Sequence, residues 1–457
     1  MTAHNPLRDT ILQLDRAVPR YTSYPPAPYF RPLQNTETYA EWLGSLSVET
    51  PLSLYLHVPF CHEMCWYCGC NTKITKRYKP VESYTDLILK EIALLAKYLP
   101  NTAMPVSNIH FGGGSPGMLH ADDFKKIIDA LHANFQLSQD TDIAIEIDPR
   151  GIDKEKTKAY AQNGVTRVSL GSQDFNDHIL ESVNRAQPFA LSERAVKDLR
   201  SEGIHNINLD LIYGLPYQTT DTMRYTIDKA LSLSPERVSL FGYAHVPWMK
   251  KHMRMINEEA LPNQGLRFDL FETGANLLEA QGYVPIGIDH FAKPDDDMTT
   301  ALKEKRLYRN FQGYTTDTGK ELIGIGASSI GKLPQGYIQN APDMPIYKRA
   351  IMSGKLPAHK IYKMHGDDPI YAHVIEQIMC YLQVDLNTVK EQFALPPHYF
   401  DDALYELEAL AQKDILEIKQ NTITINPKAR TMARLAANIF DQYAPQTPGT
   451  QRHARAV

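Results

Sequence analysis

Four of the five cysteines in this 457-residue chain lie within one short loop. In order they are Cys61, Cys65, Cys68 and Cys70. The fifth, Cys380, lies far away in the sequence. Thiols so close together would close only very small disulfide loops, which constrain the unfolded chain little. A bound metal ion or metal cluster is therefore the main explanation for this loop.

The spacing of these thiols, C-x₃-C-x₂-C-x-C, favours a cluster over a single ion. Structural zinc sites usually join two C-x₂₋₄-C pairs that are a dozen or more residues apart, and this chain has no second pair. The first three thiolates suit a loop that wraps one face of an iron–sulfur cubane and leaves its fourth iron open. We expect an iron–sulfur site, with zinc as the alternative.

Other polar and glycine positions follow or interrupt apolar runs. Gly112, Gly113 and Gly114 form a run that either lets the backbone approach a ligand or makes a flexible turn. Glu146 and Asp210 stand within apolar segments, where an unpaired carboxylate is costly. Each acid therefore either binds a ligand or forms an internal salt bridge. Two further candidates follow a later apolar run, Gln173 and Arg185, although Arg185 could equally be a surface charge.

The apolar runs alternate with amphipathic segments, which predicts βα units and a parallel sheet. The predicted strands are 53–58, 106–111, 142–147, 166–171, 206–212 and 237–244. The predicted helices between them are 118–134, 152–163, 188–202 and 219–233. The alternation of strand and helix repeats along the chain, but the amino-acid sequence itself does not.

The first strand favours a barrel over a doubly wound sheet. Ser53, Tyr55 and His57 alternate with aliphatic residues, as expected for a polar lumen and an apolar wall that faces helices. Strands of a doubly wound sheet would be apolar on both faces. Because barrel chemistry lies at the carboxyl ends of the strands, the cysteine loop and the candidate polar residues should converge there. Tyr55 and His57 could act near the metal, although a lone histidine is more often a satisfied core residue.

Composition limits the class of protein. Hydrophobic residues make up 43% and charged residues 22%, as in ordinary globular proteins, and the net charge is −5. That charge gives no general basic surplus for nucleic acid. Apolar runs are too short for a membrane span, and the N-terminus does not resemble a signal peptide. We expect a cytoplasmic, monomeric protein without nucleic-acid binding or membrane insertion.

The C-terminal part reads as a separate unit. Three helices, a hairpin that turns at Gln420 and Asn421, and a last helix over 427–443 give a winged-helix-like order. Cys380 lies among apolar residues and should be buried and inert. The predicted division is an arm (1–45), a partial barrel (46–290), a barrel extension and connection (291–364), a C-terminal domain (365–445) and a tail (446–457). The predicted fold is thus α/β, an incomplete (β/α)₆ TIM-like barrel with an N-terminal arm and a mainly helical C-terminal domain.

The C-x₃-C-x₂-C spacing, with the aromatic Tyr67 before the last cysteine, resembles the signature of radical S-adenosylmethionine enzymes. In that superfamily the open iron chelates S-adenosylmethionine. An electron from the cluster then cleaves it to a 5′-deoxyadenosyl radical. The glycine run resembles the motif by which these enzymes contact the methionine amino group.

A longer set of motifs resembles one family within that group, the oxygen-independent coproporphyrinogen III oxidases. The matching stretches include RYTSYPPAP (20–28), LYLHVPFCHEMCWYCGC (54–70), HFGGGSP (110–116), IEIDPR (145–150), GSQDFN (171–176), NLDLIYGLP (208–216) and RNFQGYTT (309–316). The resemblance implies conversion of two propionates of coproporphyrinogen III to vinyl groups through abstraction of a propionate β-hydrogen. The product is protoporphyrinogen IX, an intermediate of haem biosynthesis.

The resemblance also implies ligands and roles for individual residues. It implies one [4Fe–4S] cluster on Cys61, Cys65 and Cys68, together with two S-adenosylmethionine molecules. Residues matched to the first molecule are Tyr55, Gly113, Glu146 and Ile330. Residues matched to the second molecule are Tyr67, Gly114, Ser115, Gln173, Arg185, Asp210 and Ala244. Ser115 replaces the usual threonine and keeps the hydroxyl. Cys70, with Tyr55 and His57, is the expected catalytic group.

The substrate would carry four propionates, so cationic groups should lie at the barrel mouth. The candidates are Arg20, Tyr21 and Tyr24 in the arm, and Arg309 and Gln312 in the RNFQGYTT stretch. An electron donor and a terminal electron acceptor are further required partners. The alternative is a haem-binding or haem-delivering relative without oxidase activity, but such relatives lack Cys70 and the arm.

Overall fold

The computed structural model describes residues 5–35, 37–100, 104–317 and 319–444. The predicted tail, 446–457, lies outside the described residues. The strands are β1 (Arg31–Pro32), β2 (Leu52–Val58), β3 (Phe60–Cys61), β4 (Lys73–Ile74), β5 (Pro105–Gly113), β6 (Gln136–Ile147), β7 (Arg167–Gln173), β8 (Asn206–Tyr213), β9 (Arg237–Gly242), β10 (Val284–Ile286), β11 (His290–Ala292), β12 (Tyr308–Asn310), β13 (Gly313–Thr315), β14 (Glu321–Ile325), β15 (Ile330–Leu333), β16 (Gly336–Asn340), β17 (Ala358–Lys363), β18 (Gln383–Asp385), β19 (Leu416–Lys419) and β20 (Thr422–Ile425).

The helices alternate with the central strands and then dominate the C-terminal part. They are α1 (Arg8–Leu14), α2 (Glu37–Gly44), α3 (Lys79–Ala96), α4 (Ala121–Asn134), α5 (Lys154–Gln162), α6 (Asp177–Glu181), α7 (Phe189–Ser201), α8 (Thr220–Ser232), α9 (Gln264–Ala280), α10 (Asp297–Lys303), α11 (Met344–Met352), α12 (Asp368–Tyr381), α13 (Leu386–Gln392), α14 (Asp401–Ala411) and α15 (Ala433–Ile439). The four helices predicted between strands correspond to α4, α5, α7 and α8.

The main sheet has a parallel centre and antiparallel flanks. The six predicted strands are β2, β5, β6, β7, β8 and β9, paired in parallel in that order. The α/β prediction is therefore confirmed. Sequence analysis did not assign β14, which adds a seventh parallel strand beside β2. Strands β15, β16, β17 and β1 continue beyond β14 and pair antiparallel, and β11 and β10 extend the other end.

The central strands curve around a shared polar interior. One cavity of about 270 Å³ is lined by side chains from β2, β5, β6, β7, β8, β9 and β14. The alternation within β2 is seen at its ends, since Ser53 lines this cavity whereas Leu52 and Leu56 do not and are buried in the main hydrophobic core. The arrangement brings the carboxyl ends of the parallel strands to one mouth.

The N-terminal arm and the C-terminal part form a second hydrophobic core. Ile11, Val18, Tyr21 and Tyr24 pack in the same cluster as residues of α12, α13, α14 and α15. The arm and the C-terminal unit are thus joined by a common core. The predicted boundaries at 45 and 364 stay predictions.

The C-terminal hairpin pairs β19 with β20 and turns where the sequence predicts. Gln420 and Asn421 both have positive φ, 49° and 65°, as a tight two-residue hairpin turn requires. The last helix is shorter than predicted: Pro427–Met432 forms a 3₁₀ segment, and α15 spans Ala433–Ile439. The reason is local, because Ala429, three residues after the Asn426 cap, has non-helical dihedrals (φ −118°, ψ 24°). Cys380 is fully buried, as expected.

Within the described ranges, no helix combines the length and the apolar character needed to cross a membrane.

Candidate active site

A cavity of about 430 Å³ lies at the carboxyl ends of the central strands, beside the cysteine loop. It gathers residues that are scattered over more than two hundred positions of sequence. The predicted site residues in its wall are Arg20, Cys61, Cys65, Tyr67, Cys68, Cys70, Gly113, Gly114, Glu146, Gln173, Arg185, Asp210 and Ala244. The convergence expected for a barrel mouth is therefore present.

Two arginines face the sulfur of Cys65. Arg185 Nη1 lies 3.3 Å and Arg150 Nη2 lies 3.6 Å from that sulfur. The Thr72 hydroxyl donates to the sulfur of Cys61 at 3.4 Å. Burial raises the pKa of the Cys61 thiol to about 11, although this hydrogen bond opposes the shift. These donors can stabilise negative charge on sulfur, as thiolate ligands require.

Cys68 and Cys70 form a sulfur pair at the end of the loop. The hydrogen bond from the Cys70 thiol lowers the pKa of Cys68 to about 6 and raises that of Cys70 well above its ordinary value. Two groups of a later loop hold the backbone of this pair: His252 Nε2 contacts the Cys68 carbonyl at 2.8 Å, and Lys250 Nζ donates to the Cys70 carbonyl at 3.1 Å. Cys70 is exposed, whereas Cys65 is buried.

The donors are not arranged around a single ion. Across residues 5–35, 37–100, 104–317 and 319–444, no three Cys, His, Asp or Glu side chains converge as the ligands of one metal ion do. A tetrahedral zinc site needs four donors within about 2.3 Å of one point. Cys61, Cys65 and Cys68 share one cavity wall, and an iron–sulfur cluster takes one thiolate on each iron that the protein ligates.

The glycine run packs tightly against Tyr55, His57 and Glu146. Gly113 has φ of +118°, and a Cβ there would lie 2.8 Å from the His57 ring. A Cβ on Gly112 would lie 2.9 Å from the Tyr55 ring. Gly112 and Gly113 are thus required because a side chain at either position would collide with the Tyr55 or His57 ring.

Tyr55 and His57 form a fixed pair below the glycine run, outside the cavity wall. Tyr55 Oη lies 3.0 Å from His57 Nδ1, and His57 Nε2 lies 3.1 Å from the carbonyl oxygen of Asn71. Because a carbonyl can only accept, Nε2 carries the proton and Nδ1 accepts from the tyrosine. Burial lowers the pKa of His57, which favours this neutral tautomer.

Glu146 points into the cavity with a defined set of partners. His110 Nε2 lies 2.9 Å from Oε1, and the Gly113 amide donates to Oε2 at 3.3 Å. Burial raises the pKa of Glu146, but the His110 hydrogen bond and the other partners outweigh it, and the net pKa is lowered. The carboxylate is therefore ionised and can receive a cationic group from a ligand.

Asp148, Arg150 and Arg185 form a charged cluster beside Cys65. Asp148 Oδ2 accepts from Arg150 Nη2 at 2.6 Å and from Arg185 Nη1 at 3.3 Å. Burial alone would raise the pKa of Asp148, but the effects of Arg185 and Arg150 outweigh burial and lower the pKa to about 2. Arg185 is 4% exposed, and its Nε has no hydrogen-bond partner in the protein. An unpartnered guanidinium nitrogen in a cavity wall fits an acceptor group of a ligand.

Asp210 provides a second carboxyl at the cavity, on β8. Asn208 Nδ2 donates to it at 2.8 Å. Burial, with the nearby charge of Glu146, raises the pKa of Asp210 to about 7. Gln173, at the end of β7, lines the same wall and has a positive φ of 69°. The pKa of Glu146 is thus lowered and that of Asp210 is raised, so the site holds one acid that favours the ionised form and one that is more easily protonated.

Besides Tyr55, two more predicted ligand-binding residues lie outside this wall. The Ser115 hydroxyl accepts from the Asp148 amide at 3.3 Å and is buried. Ile330 begins β15 and packs beside a small aromatic cluster. Their contacts with a ligand stay predictions.

The arm delivers Arg20 to the cavity and buries its neighbours. Arg20 Nη2 donates to the Gly242 carbonyl at 3.0 Å. The Tyr21 hydroxyl donates to Asp441 at 3.0 Å, and the Tyr24 hydroxyl accepts from the Gln442 amide at 3.0 Å. Both predicted tyrosines are therefore committed to the C-terminal part and anchor the arm away from the cavity.

Arg309 and Gln312 flank the site from within the barrel. The Arg309 guanidinium lies 4.5 Å from the Tyr314 ring centre and donates to the Arg20 carbonyl at 3.5 Å. Gln312 lines the interior cavity of about 270 Å³ described above. The two cavities share wall residues, namely Glu146, Ser169, Asp210 and Phe241.

Sequence reasoning missed three members of the site. His110 fixes Glu146, and Asp148 and Arg150 contact Arg185 and Cys65. All three belong to strand-end motifs already singled out, HFGGGSP and IEIDPR. The signal was present, but nothing in one sequence shows that Asp148 and Arg185 meet.

The residues in this wall fit an iron–sulfur cluster with a charged organic ligand beside it. Three thiols with nearby donors offer ligands for a cluster. Glu146 offers a partner for an ammonium group, and the free Nε of Arg185 offers a donor for a carboxylate.

Comparisons with known proteins agree with this site. A model of the radical SAM superfamily matches residues 55–230. The oxygen-independent coproporphyrinogen III oxidase of Bradyrhizobium diazoefficiens is 42% identical over 443 residues, covering 97% of this chain and 98% of that protein. The corresponding protein of Synechocystis is 36% identical, covering 97% and 96%. The solved structure of coproporphyrinogen III oxidase from Escherichia coli, a radical SAM enzyme, is 33% identical, with a TM-score of 0.88, covering 94% of this chain and 100% of that chain.

Proposed function

The chain belongs to the oxygen-independent coproporphyrinogen III oxidases, within the radical SAM superfamily, and from that membership we propose how its residues divide the work of the reaction. The reaction is the anaerobic oxidative decarboxylation of coproporphyrinogen III in haem biosynthesis. Two propionates become vinyl groups, and the product is protoporphyrinogen IX. The haem-delivering alternative is not favoured, because the full-length relatives are oxidases.

The enzyme uses an iron–sulfur cluster and S-adenosylmethionine, as its superfamily does. We assign the cluster ligands to Cys61, Cys65 and Cys68, which share the cavity wall. When bound, these cofactors supply a carbon-centred radical able to take hydrogen from an unactivated propionate carbon. Arg150 and Arg185 hold the Cys65 sulfur from the protein side, and Thr72 holds the Cys61 sulfur.

Two groups of charged residues support the binding of two S-adenosylmethionine molecules. Glu146 and the Gly113 amide form one group, on β5 and β6, suited to an ammonium. Arg185 and Asp210 form the other, on the β7 and β8 side, with the free Nε of Arg185 suited to a carboxylate. We assign Tyr55 and Ile330 to the surroundings of the first molecule. The second takes the remaining matched residues, namely Tyr67, Gly114, Ser115, Gln173 and Ala244.

Arg20 is the group that we propose to bind a substrate propionate. It lines the same cavity as the cysteine loop, and two other arginines hold the backbone at and before it. Arg434 of α15 donates through Nε to the Pro19 carbonyl at 3.0 Å, and Arg309 donates to the Arg20 carbonyl. Arg309 therefore acts through Arg20. Tyr21 and Tyr24 anchor the arm that carries it.

Cys70 is the proposed catalytic thiol. It is exposed, lines the cavity and carries an S–H that donates to Cys68, so the same S–H can donate to a ligand group in the cavity. Tyr55 and His57 are positioning residues in this proposal. Neutral His57 bonds both the Tyr55 hydroxyl and the carbonyl of Asn71, the residue after Cys70, and its ring packs on Gly113.

We propose that the C-terminal unit is a winged-helix-like cover for the mouth. Its helices and its β18–β20–β19 sheet bind the arm through a shared core, and so they fix Arg20 over the cavity. We also propose that the enzyme acts as a monomer with separate electron donor and acceptor partners.

The observation that carries this proposal is the single cavity that joins the three thiols, the free Nε of Arg185 and Arg20. The test is an anaerobic assay with coproporphyrinogen III deuterated at the propionate β-carbon. Deuterium should appear in 5′-deoxyadenosine in step with vinyl product and CO₂. Two S-adenosylmethionine molecules should be cleaved for each substrate.

The controls separate the possible failures. Arg20→Ala should keep iron and S-adenosylmethionine binding but raise the KM for coproporphyrinogen, whereas Arg16→Ala, an exposed arginine four residues earlier, should not. Vinyl product without label transfer would contradict β-hydrogen abstraction. Stoichiometric haem binding without vinyl product, on a fully loaded cluster, would favour the haem-delivering function instead.

A further inference from the structure

The surface around the cysteine loop carries a basic collar. We define it as six residues in two segments: Lys73, Lys76 and Arg77 after the loop, and Lys250, Lys251 and Arg254 of a later loop. Five of the six are exposed, and Lys250 is half-buried. The proposed reaction assigns no role to any of them.

Both segments of the collar touch the cysteine loop directly. Lys73 begins β4, which pairs with β3 at Cys61, and it follows Cys70 by three residues, so their Cα atoms lie within about 11 Å. The second segment is joined to the loop through Lys250 on the Cys70 carbonyl and His252 on the Cys68 carbonyl. Each segment of the collar therefore adjoins the loop that carries the proposed cluster ligands.

Exposed apolar side chains adjoin the collar. Trp248 is 50% exposed, Met249 is 63% exposed and Met255 is 61% exposed. All three belong to the segment that carries Lys250, Lys251 and Arg254. On the other segment, Ile74 is 42% exposed, next to Lys73. An apolar centre with a charged rim is the usual composition of a protein-binding surface.

The charge of the collar contrasts with that of the whole chain, which has a net charge of −5. Two acids near the collar are paired with other groups: Glu63 lies 3.6 Å from Arg150, and Glu258 lies 2.9 Å from His245. The six cations of the collar outnumber these two acids and the exposed Glu259 nearby, which leaves a positive field. Such a field steers an oppositely charged partner and speeds its association.

We propose that the basic collar docks an acidic protein that is a one-electron donor. The proposal rests on the proposed function, which requires an electron at the cluster. The donor loses one electron and becomes its one-electron-oxidised form, the cluster changes from the 2+ to the 1+ state, and no atom is transferred. Docking at the collar would bring the donor next to the backbone of Cys68 and Cys70, in the loop that would hold the cluster.

The test uses a recombinant bacterial flavodoxin as the acidic probe and the anaerobically reconstituted enzyme. The variant is Lys76→Glu/Arg77→Glu, two exposed residues that contact neither cavity. The matched control is Lys348→Glu/Arg349→Glu on α11, an exposed Lys-Arg pair with the same change of charge. The control lies far away, because Tyr347 bonds Glu91, twelve residues and about 18 Å along α3 from Lys79.

Two quantities are measured at 50 mM and 300 mM NaCl: the Kd for oxidised flavodoxin by calorimetry, and the rate of cluster bleaching by flavodoxin hydroquinone in stopped flow. At low salt the variant should lose about tenfold or more in both, and the control should match the wild type. High salt should reduce the difference, because surface charges are screened. Equal behaviour of variant and control would overturn the proposal.

Dithionite separates this proposal from the proposed function. With dithionite as reductant, the variant should turn over coproporphyrinogen with unchanged kcat and KM. A raised KM under dithionite would overturn the proposal by showing that the collar binds the substrate. Wild-type binding to vesicles of phosphatidylserine and phosphatidylcholine, without binding of flavodoxin, would overturn it in favour of a membrane surface. Absence of turnover with dithionite in the wild type would instead count against the proposed function.

Discussion

Glu91, in the middle of α3, offers a pH-dependent test of the packing behind the site. Its side chain is fully buried and accepts from the Gly326 amide at 2.8 Å, from Asn340 Nδ2 at 2.7 Å and from the Tyr347 hydroxyl. These bonds fix the turn between β14 and β15, which leads to Ile330. Burial raises the pKa of Glu91 to about 7, although the hydrogen bonds oppose the shift.

The sign and size of the effect follow from linkage. Because the folded pKa of Glu91 lies above its ordinary value of 4.5, the folded state binds more protons, and the free energy of unfolding falls as pH rises between the two. The difference of about 2.5 between the two pKa values lowers the free energy of unfolding by about 3.4 kcal/mol over the whole pH range. About 2.5 kcal/mol of this decrease falls between pH 5 and pH 8. For 457 residues this corresponds to about 2 to 3 °C in Tm.

The perturbation is Glu91→Gln, and the assay is thermal unfolding of variant and wild type from pH 5 to pH 8. In the variant an NH₂ donor replaces one of the two accepting oxygens and faces the donors that bonded Glu91, which lowers Tm at every pH. It also removes the ionisation, so the deficit of the variant should shrink by about 2 to 3 °C as pH rises. Glu82→Gln, at a half-exposed position on the same helix, should show no such convergence. A deficit that stays constant or grows with pH would refute the reasoning.

Three further predictions concern the site. Cys65→Ala should lose the cluster's iron, about four atoms per chain in the wild type, whereas Cys70→Ala should keep the iron and lower turnover; loss of iron in Cys70→Ala would show that the ligands are misassigned. Gly113→Ala should destabilise the fold by about 1 to 3 kcal/mol in urea unfolding, because φ is +118° and the added Cβ meets His57; an unchanged midpoint would contradict that packing. Arg185→Lys should weaken S-adenosylmethionine binding about tenfold or more in equilibrium dialysis, because it removes the guanidinium fork; unchanged affinity would exclude Arg185 from the ligand site.

The sequence predicted the central sheet because period-two patterns and spacing are local properties. Ser53 lines the interior cavity and Leu52 and Leu56 lie in the core, as the alternation in β2 required. It did not reveal β14, because a short apolar run such as Leu322–Ile325 carries no information about its partner strand. Pairing of β14 with β2 joins residues that are more than 250 positions apart.

The candidate site was predicted in its residue types more fully than in its contacts. The cysteines were selected by their spacing, and Glu146 was selected because a carboxylate within an apolar strand needs a partner. Arg185 was assigned through the family resemblance. Their partners depend on which strand ends meet, and so the bond between Asp148 and Arg185 lay beyond one-dimensional reasoning. For Tyr21 and Tyr24 the residue type itself was ambiguous, because aromatic residues beside an arginine suit a substrate surface and a hydrophobic anchor equally well.

The joint core of the arm and the C-terminal helices has a consequence for biosynthesis of the enzyme. Tyr21 and Tyr24 find their partners at Asp441 and Gln442, which leave the ribosome more than four hundred residues later. At about 5 to 20 residues per second the arm waits roughly 20 to 80 s after its own synthesis before it can dock. Throughout that interval the arm lacks the helices that hold it. Arg20 can therefore take its place in the cavity wall only after the last helices have been made.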